Sequence, residues 1–408
     1  MKICWVFYDR KDYTGGPVIN ALRILPELVK RGHQVWAFVG HNGTECSSIG
    51  VLEAVGVKCI PYKVRFTSDV NVRFFLNKVA EIKPDVFVSN ISTQAAFAGR
   101  WIRKWGIPVV HTHRSDDALN RGTALFFFTG PLRWRLDALV AVNGYLLEGV
   151  QKKAGSGFTG RIIPSGVPVS PLPVAQDHDI SLNVAYAGRI DQKQKRIVET
   201  LNSFVDIARA APEFNFSLIG DGEPVLTQRL KTIVTGTGLK ERIRFTGRLW
   251  GEEYKQELAR HQVIVLLSDY EGTPGSLMDG MSCGLVPVAL QFPGLNDLVQ
   301  DQVNGLVVTD RDRHFREALY KLQEDRALRR RLAAAARKTI ENEFSVESAT
   351  TSWESLFNQL TSKKTTRKIK VPAKTLLPAP NPLLLQHQPR ISILRKWLNK
   401  LNQGIAVR

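Results

Sequence analysis

Cysteines are few in this sequence of 408 residues, and long apolar runs are absent. The four cysteines (Cys4, Cys46, Cys59 and Cys283) form no CxxC pair and have no histidine partners at metal-binding spacing. This excludes a disulfide scaffold and predicts buried or incidental thiols in a reducing compartment. No apolar stretch approaches the roughly 18 residues that a membrane-spanning helix requires. The N-terminus does not match the pattern of a signal peptide, so we predict a cytosolic protein.

Acidic residues are missing from the end of the chain. Residues 363–408 contain 11 Lys and Arg and no Asp or Glu, and residues 1–180 contain 22 basic against 14 acidic side chains. Residues 181–362 hold 23 basic and 24 acidic side chains, so the net charge of +18 comes from the first half and the tail. This asymmetry predicts a polyanionic partner, either nucleic acid or an anionic membrane.

Short apolar stretches alternate with helix-length amphipathic stretches along most of the chain, and 43% of the residues are hydrophobic. Strands separated by helices predict parallel sheets that are covered on both faces. We therefore predict two doubly wound, Rossmann-like α/β domains with the default ligand site in a cleft between them. The predicted strands are Lys2–Tyr8, Gln34–Val39, Val57–Tyr62, Asp85–Asn90, Val109–His111, Ala138–Asn143 and Arg161–Pro164, followed by Leu182–Ala187, Phe214–Ile219, Ile243–Thr246, Val263–Ser268, Val286–Leu290 and Gly305–Val308.

The predicted domain boundaries follow the composition. Residues 1–168 form the first domain, to which 345–362 return, and residues 169–344 form the second. Residues 363–408 begin with a basic, Pro-rich stretch that is predicted to be an extended, mobile linker. After it, Leu394, Trp397, Leu398, Leu401 and Ile405 share one face of a predicted basic helix, as in membrane-surface anchors. The alternatives are a helix that packs on its own protein and a merely solubilising tail.

Three familiar motifs are decoys or missing. Gly155–Gly160 matches GxGxxG, but a helix precedes it and a strand follows, which is the reverse of the dinucleotide-binding arrangement. The D-x-D triplets Asp177–Asp179 and Asp310–Asp312 lie in predicted loops, and such triplets are common by chance. No GKS or GKT phosphate loop occurs, so an ATPase or GTPase lacks its main support.

The candidate chemistry lies where predicted strands end. Arg189 follows one strand and Lys195 comes six residues later, and two cations at such an edge suit a diphosphate, although a solvated loop is the alternative. Another strand leads to Glu271, and Gly275–Leu277 open a helix whose free N–H groups suit an anion. Asp279 lies one turn further on, within reach of a ribose. Carboxylates beside a phosphate site indicate a neutral, hydroxyl-rich ligand such as a sugar.

Together these motifs resemble those of the retaining family 4 (group 1) glycosyltransferases. The resemblance rests on GRIxxxxK (188–195), GDG (220–222), IRFTGR (243–248) and the EGTPGSLMDGMSCGLVPV segment (271–288), and it extends over residues 1 to about 360. It implies the GT-B fold, which is two Rossmann-like domains that face each other across a cleft.

By this resemblance, Arg189 and Lys195 neutralise the diphosphate of a sugar nucleotide, which implies that no metal is needed. Glu271, the first acid of the family's E-x7-E motif, contacts hydroxyls of the transferred sugar. The backbone N–H groups of Gly275, Ser276 and Leu277 bind the phosphates, and Gly15 and Gly16 approach them from the other domain.

The resemblance also assigns the base, the ribose and the reacting centre. Arg248 and Leu249 border the nucleobase, and Asp279 stands where a ribose-binding Glu is usual. His111 matches the family's histidine near the reacting sugar and the acceptor, with His113 a weaker candidate. For each of the two histidines, the alternative interpretation is a purely structural role.

A membrane-facing acceptor side is a further prediction. Arg100–Trp105, Phe126–Phe128 and Arg133–Arg135 interleave cations with aromatic residues in the acceptor-side domain, as suits an anionic bilayer. The alternative is that Phe126–Phe128 belong to the core and the cations are merely solvated.

The resemblance implies a retaining transfer with front-face attack by the acceptor hydroxyl. The donor is a UDP- or GDP-linked sugar that serves as substrate, with no separate cofactor, and the acceptor is a membrane-linked or envelope glycan. We expect a peripheral protein on the inner face of the plasma membrane. A nucleotide-sugar epimerase of the same fold is one alternative, and a catalytically weak scaffold whose tail binds a membrane is another. Nucleic acid is the poorer partner because aromatic stacking modules for RNA are absent.

Overall fold

The computed structural model describes residues 1–10, 15–155, 157–171, 181–362, 368–385 and 387. They fall into two compact units. The first unit contains residues 1–164 together with the described residues from Ala349 onward, and the second contains Ser165–Ser348. The sequence placed the corresponding boundaries at residues 168 and 344, a few residues away.

The first unit contains a 7-stranded sheet with the order β3-β2-β1-β4-β5-β6-β7, and its strand pairs are parallel. Its central strands are apolar along nearly their whole length because helices cover both faces of the sheet. The strands are β1 (Lys2–Tyr8), β2 (Gln34–His41), β3 (Lys58–Lys63), β4 (Val86–Asn90), β5 (Val109–His113), β6 (Ala138–Ala141) and β7 (Thr159–Ile162). The helices are α1 (Gly16–Lys30), α2 (Ser47–Glu53), α3 (Ser68–Ile82), α4 (Thr93–Lys104), α5 (Ala118–Thr129) and α6 (Gly144–Ala154).

The second unit contains a 6-stranded sheet with the order β10-β9-β8-β11-β12-β13 and parallel pairing. The strands are β8 (Leu182–Ala187), β9 (Phe214–Ile219), β10 (Ile243–Gly247), β11 (Val263–Leu266), β12 (Val286–Leu290) and β13 (Leu306–Val308). The helices are α7 (Ile197–Ala210), α8 (Pro224–Gly236), α9 (Gly251–Leu258), α10 (Gly275–Ser282), α11 (Arg313–Glu324) and α12 (Arg326–Thr339). The prediction of two doubly wound parallel-sheet domains is confirmed, and each predicted strand is present.

Helix α13 (Val346–Thr361) returns the chain to the first unit. Its Trp353 packs edge-on against Trp5 of β1 with ring centroids 4.7 Å apart. Glu354 accepts hydrogen bonds from Arg31 at 2.7 Å and pairs with His33 at 2.8 Å, so the Arg31-Gly-His33 turn holds this helix. Burial by itself raises the pKa of the Glu354 carboxyl, but the hydrogen bonds from His33 and Arg31 lower it overall.

For the described residues of the Pro-rich segment that follows α13, the prediction of a mobile linker is wrong. Residues 368–385 and 387 have neither helix nor strand, as an extended stretch should, but they pack on the first unit. Leu384 is 2% exposed, and Ile369, Val371 and Leu377 pack against the same core. These apolar residues lie in short groups among prolines and lysines, so the average composition hides them. The predicted amphipathic helix at residues 391–405 lies outside the described residues.

Two other expectations can be compared with the fold. Phe126, Phe127 and Phe128 of α5 are at most 4% exposed and belong to the core, so the interpretation that they face a membrane is wrong. Arg100 lies over the rings of Trp101 and Trp134, at 5.2 and 4.8 Å from their centroids. Within the described residues, no helix combines the length and the apolar character needed to cross a bilayer.

Candidate active site

Two loops of the second unit meet because their strands are neighbours. Strands β8 and β11 pair in parallel at the point where the strand order reverses, so both carboxyl ends open on the same edge of the sheet. The loop after β8 contains Arg189 and Lys195, and the loop after β11 contains Glu271. Sequence spacing alone gives the position of each loop, and the sheet order brings them together.

Lys195 and Glu271 form the central ion pair of this edge. Lys195 Nζ lies 2.5 Å from Glu271 Oε1, and the two side chains are 11% and 10% exposed. Charges this well shielded from water require a partner of opposite charge, and Lys195 and Glu271 are each other's partner. The stem of Lys195 passes close to Gly188, where an added Cβ would lie 3.9 Å from its Cε. The predicted phosphate-binding cation is therefore paired with the predicted sugar-binding carboxylate.

Gln194 makes hydrogen bonds both within its own loop and to the loop after β11. Its Oε1 accepts from Arg189 Nη2 at 3.0 Å, and its Nε2 donates to the carbonyl of Tyr270 at 2.9 Å. Its own carbonyl accepts from the N–H of Asp269 at 3.0 Å. Gln194 thus sets the exposed Arg189 side chain and fixes the backbone immediately before Glu271. It occupies a variable position of GRIxxxxK, so no sequence pattern pointed to it.

Arg311 is a second residue that sequence analysis missed. It follows β13, donates from Nε to the carbonyl of Leu267 at 2.8 Å, and pairs with Asp269. Arg196 lies 3.8 Å from the other oxygen of Asp269. Two cations from distant parts of the sequence therefore anchor the start of the loop that presents Glu271.

Helix α10 begins directly after that loop. Its first turn consists of Gly275, Ser276 and Leu277, which follow Pro274 at the N-cap position. The first N–H groups of a helix have no carbonyl partner within it, and the helix dipole favours an anion there. An added Cβ at Gly275 would meet no atom within 4 Å, so space is open at this end. Asp279 is half-buried one turn further along the helix.

Arg248 and Leu249 follow β10 in the same unit. The Arg248 guanidinium lies over the Trp250 ring, 4.4 Å from its centroid, and 3.8 Å from Asp221 Oδ2. Leu249 packs against the core, while Trp250 is 51% exposed. A flat cation and an exposed indole provide a surface on which a nucleobase can stack.

The GDG motif has a structural role in bringing these loops together. Gly220 has φ +146°, and an added Cβ would lie 1.9 Å from the carbonyl oxygen of Gly188. A Cβ at Gly222 would lie 2.0 Å from the carbonyl oxygen of Ile190. The loops after β8 and β9 therefore touch backbone to backbone, which only glycine permits.

In the first unit, Gly15 and Gly16 lie at the start of α1, where Gly15 is the N-cap. An added Cβ at Gly16 would meet no atom within 4 Å, so the first turn of α1 is accessible. Helix α1 continues through Pro26, which lies inside it. The neighbouring residues 11–14 lie outside the described residues.

His111 lies in β5 of the first unit and is fully buried. Its Nδ1 is 2.9 Å from Ser89 Oγ, and the Ser89 hydroxyl lies 3.1 Å from the carbonyl oxygen of Val110. Nδ1 and the Ser89 hydroxyl share a hydrogen bond, and the tautomer of the ring decides which of the two groups donates. Burial and the nearby His113 lower the pKa of His111 to about 3, so the ring is neutral. No hydrogen-bond partner for Nε2 is found in the described part of the chain.

Carboxylates of the D-x-D type do not gather into a metal site where the structure describes them. Asp310 accepts hydrogen bonds from the N–H groups of Asp312 and His314, both at 3.0 Å, and so caps α11. Asp312 pairs with Arg316 at 2.9 Å. The triplet Asp177–Asp179 lies outside the described residues. Among the described residues, no group of three or more His, Cys, Asp or Glu side chains is placed to hold a metal ion.

Comparison with known proteins gives a family for both units. A model described as Glycosyltransferase Family 4 matches residues 14–170, and one described as Glycosyl transferases group 1 matches residues 181–325. The amylovoran biosynthesis glycosyltransferase AmsK of Erwinia amylovora is 30% identical over 138 residues, which is 32% of this chain and 33% of that protein. The lipopolysaccharide core biosynthesis glycosyltransferase LpsD of Rhizobium meliloti is 27% identical over 165 residues, 40% of this chain and 47% of that protein. Each of these matches spans less than half of the curated relative.

Solved structures show the same architecture over most of the chain. HepE of Anabaena, crystallised in complex with UDP, superposes with a TM-score of 0.72 at 17% identity, covering 88% of this chain and all of that one. At this identity the likeness establishes the fold, which is GT-B. The two matched models together cover most of both units, and the chain belongs to the group 1 glycosyltransferases of the family 4 type.

Proposed function

We propose that this protein transfers a sugar, with retention of configuration, from a nucleoside-diphosphate donor to an envelope glycan or a membrane-linked acceptor. The observation that carries the proposal is the Lys195–Glu271 pair beside the open N-terminus of α10. One edge of one sheet there offers cations and backbone donors for a diphosphate and carboxylates for hydroxyl groups. The AmsK and LpsD relatives, which are named for polysaccharide and lipopolysaccharide biosynthesis, support the envelope acceptor.

Charge on the leaving group is the main demand of this reaction. As the bond to the sugar breaks, negative charge grows on the diphosphate and positive charge grows on the sugar. Arg189, Lys195 and the α10 N-terminus stabilise the negative charge on the diphosphate, and they are positioned before the reaction begins. We propose that these groups take the role of a metal ion, and that no separate cofactor takes part.

The state of Glu271 bears on the route of transfer, because a covalent sugar–enzyme intermediate would require a nucleophilic carboxylate. A carboxylate in contact with a lysine ammonium is a poor nucleophile because the pairing stabilises its charge. We therefore assign Glu271 to hydroxyls of the sugar and the attack to the acceptor hydroxyl on the same face. Asp279 is assigned to the ribose. His111, which is neutral, is assigned to a hydroxyl group near the reacting centre.

The first test is calorimetric titration of the whole protein with UDP, GDP and ADP, each with and without EDTA. We expect selective binding of one nucleotide, with an affinity that EDTA leaves unchanged. Binding of none of them would overturn the donor assignment and favour the scaffold. Binding that EDTA abolishes would overturn the metal-independent mechanism.

Gln194 provides a test of loop positioning. Gln194→Leu keeps the size of the side chain but removes the bonds to Arg189 and to the Tyr270 carbonyl. Since Lys195 remains, we expect nucleotide affinity to fall by less than about 5-fold while kcat falls about 10- to 50-fold, because misplacement of reacting groups affects the transition state most. Lys193→Leu, at an exposed position of the same loop, is the control. An equal loss in both variants would show that Gln194 has no positioning role.

A further inference from the structure

The C-terminal segment ends its described part at a buried histidine. His387 is 5% exposed, and its Nδ1 lies 3.1 Å from Ser68 Oγ at the start of α3. Its Nε2 lies 2.9 Å from the carbonyl of Pro378, and its ring centroid is 4.5 Å from that of Phe97 in α4. One side chain thus ties together two parts of the segment and two helices of the first unit.

Three large apolar side chains near this point are exposed to solvent. Phe66 is 72% exposed, Leu376 is 68% exposed and Leu385 is 61% exposed. Each is two residues from a group in the His387 cluster, namely Ser68, Pro378 and His387 itself. Two residues of chain span at most about 7 Å, so each of these residues lies within that distance of a member of the cluster. We call these three residues and the chain around His387 the His387 face.

Cations border the His387 face. Arg65 precedes Phe66 and Lys374 lies two residues before Leu376, and both are exposed. Arg73 of α3 fixes this part of the segment by donating to the carbonyl of Ala373 at 2.9 Å. Asp69, whose charge acts on His387, is the acidic group found beside it. The described part of the segment ends at His387, and the sequence of residues 388–408 has five Lys and Arg and no acid.

Close packing of the segment fixes the position of the face on the first unit. An added Cβ at Gly122 of α5 would lie 2.0 Å from the carbonyl oxygen of Leu383, so the segment lies directly on the helix backbone. Leu384 is buried in the same core. Folding therefore buries one leucine of the Leu383-Leu384-Leu385 run and leaves Leu385 outside, at the edge of the surface.

We propose that the His387 face is the surface by which the first unit lies on an anionic lipid bilayer. Exposed Phe and Leu side chains enter the boundary between headgroups and acyl chains, and flanking Arg and Lys contact anionic headgroups. A nucleic acid would use the cations but leave the apolar side chains in water. The inference deepens the proposed function, because it requires the acceptor to be membrane-linked, and it assigns the acceptor-side unit to the membrane.

Co-sedimentation of the full chain with lipid vesicles tests this surface. Vesicles of phosphatidylcholine alone and with phosphatidylglycerol are compared, using wild type, the triple variant Phe66→Ser/Leu376→Ser/Leu385→Ser, and Val225→Ser. Val225 is 74% exposed in the second unit and serves as the matched control. We expect wild type and Val225→Ser to bind the anionic vesicles, and the triple variant to partition at least about tenfold less.

The outcomes separate this proposal from the donor chemistry. Nucleotide titration of the triple variant should match that of wild type, and a failure of wild type to bind nucleotide would leave the vesicle result valid. Vesicle binding that the triple variant retains would overturn the proposal, as would no binding by wild type. If Arg65→Glu/Lys374→Glu abolishes binding while the triple variant keeps it, the site is purely ionic, as for a nucleic acid, and the proposal fails. If the triple variant does not fold, the single variant Leu385→Ser is used in the same experiment.

Discussion

Replacing Lys195 by Met is expected to weaken nucleoside-diphosphate binding about 10- to 100-fold, because one charged hydrogen bond to the diphosphate is lost. Turnover is expected to fall further, by about 10²- to 10³-fold, since the leaving-group charge is greatest in the transition state. Methionine preserves most of the length of the side chain, so packing against Gly188 changes little. Calorimetry measures the first effect and initial rates of sugar transfer the second.

Lys193→Met is the matched control for that experiment. Lys193 is an exposed lysine in the same loop, so its replacement removes the same charge without touching the Lys195–Glu271 pair. We expect an affinity within about twofold of wild type, because exposed charges at a distance are largely screened. Equal losses in the two variants would show that Lys195 contributes only to the general field of the loop.

Glu271→Gln is expected to separate binding from turnover. Sugar transfer should fall about 10²- to 10³-fold, because the carboxylate that holds the sugar hydroxyls is lost at the reacting centre. The nucleoside diphosphate alone should bind several-fold more tightly, since Lys195 no longer has to leave a paired carboxylate to reach the phosphates. The two substitutions of the pair thus change the affinity for the same ligand in opposite directions.

A buried glutamate elsewhere in the second unit supplies the control. The Glu257 side chain is 8% exposed and pairs with Arg244 at 3.3 Å and with Arg260 at 3.0 Å. Glu257→Gln therefore removes an equally shielded charge and is expected to leave nucleotide affinity unchanged. Weaker nucleotide binding by Glu271→Gln would contradict the view that the ion pair competes with the ligand.

The bounds of the strands and the positions of the candidate site residues along the chain are largely local properties. A buried parallel strand is a short apolar run, and β1, β8, β9 and β12 have the bounds that their sequences predict. Arg189 and Glu271 could be located because each directly follows such a run. A few consecutive residues determine where a strand ends and a loop begins, so the local sequence is sufficient to locate this boundary.

Partners that are distant in the chain could not be predicted in this way. Arg311 reaches Asp269 across 42 positions, and Gln194 reaches Tyr270 across 76. Neither residue belongs to a motif, and their roles arise because β8, β11 and β13 end on the same edge of one sheet. The pairing of Lys195 with Glu271 has the same origin.

Burial is the other quantity that tertiary structure decided. Phe126–Phe128 have a sequence that fits a membrane-facing cluster, but the neighbouring elements cover them. The described residues 368–385 and 387 are a second case of the same kind, since a composition typical of a free linker packs on α3, α4 and α5. By itself, the sequence determined the local elements, the charged loops and the basic tail. Which side chains meet and which are withdrawn from water depended on the packing of residues far apart in the chain, because contact and desolvation are properties of the assembled fold.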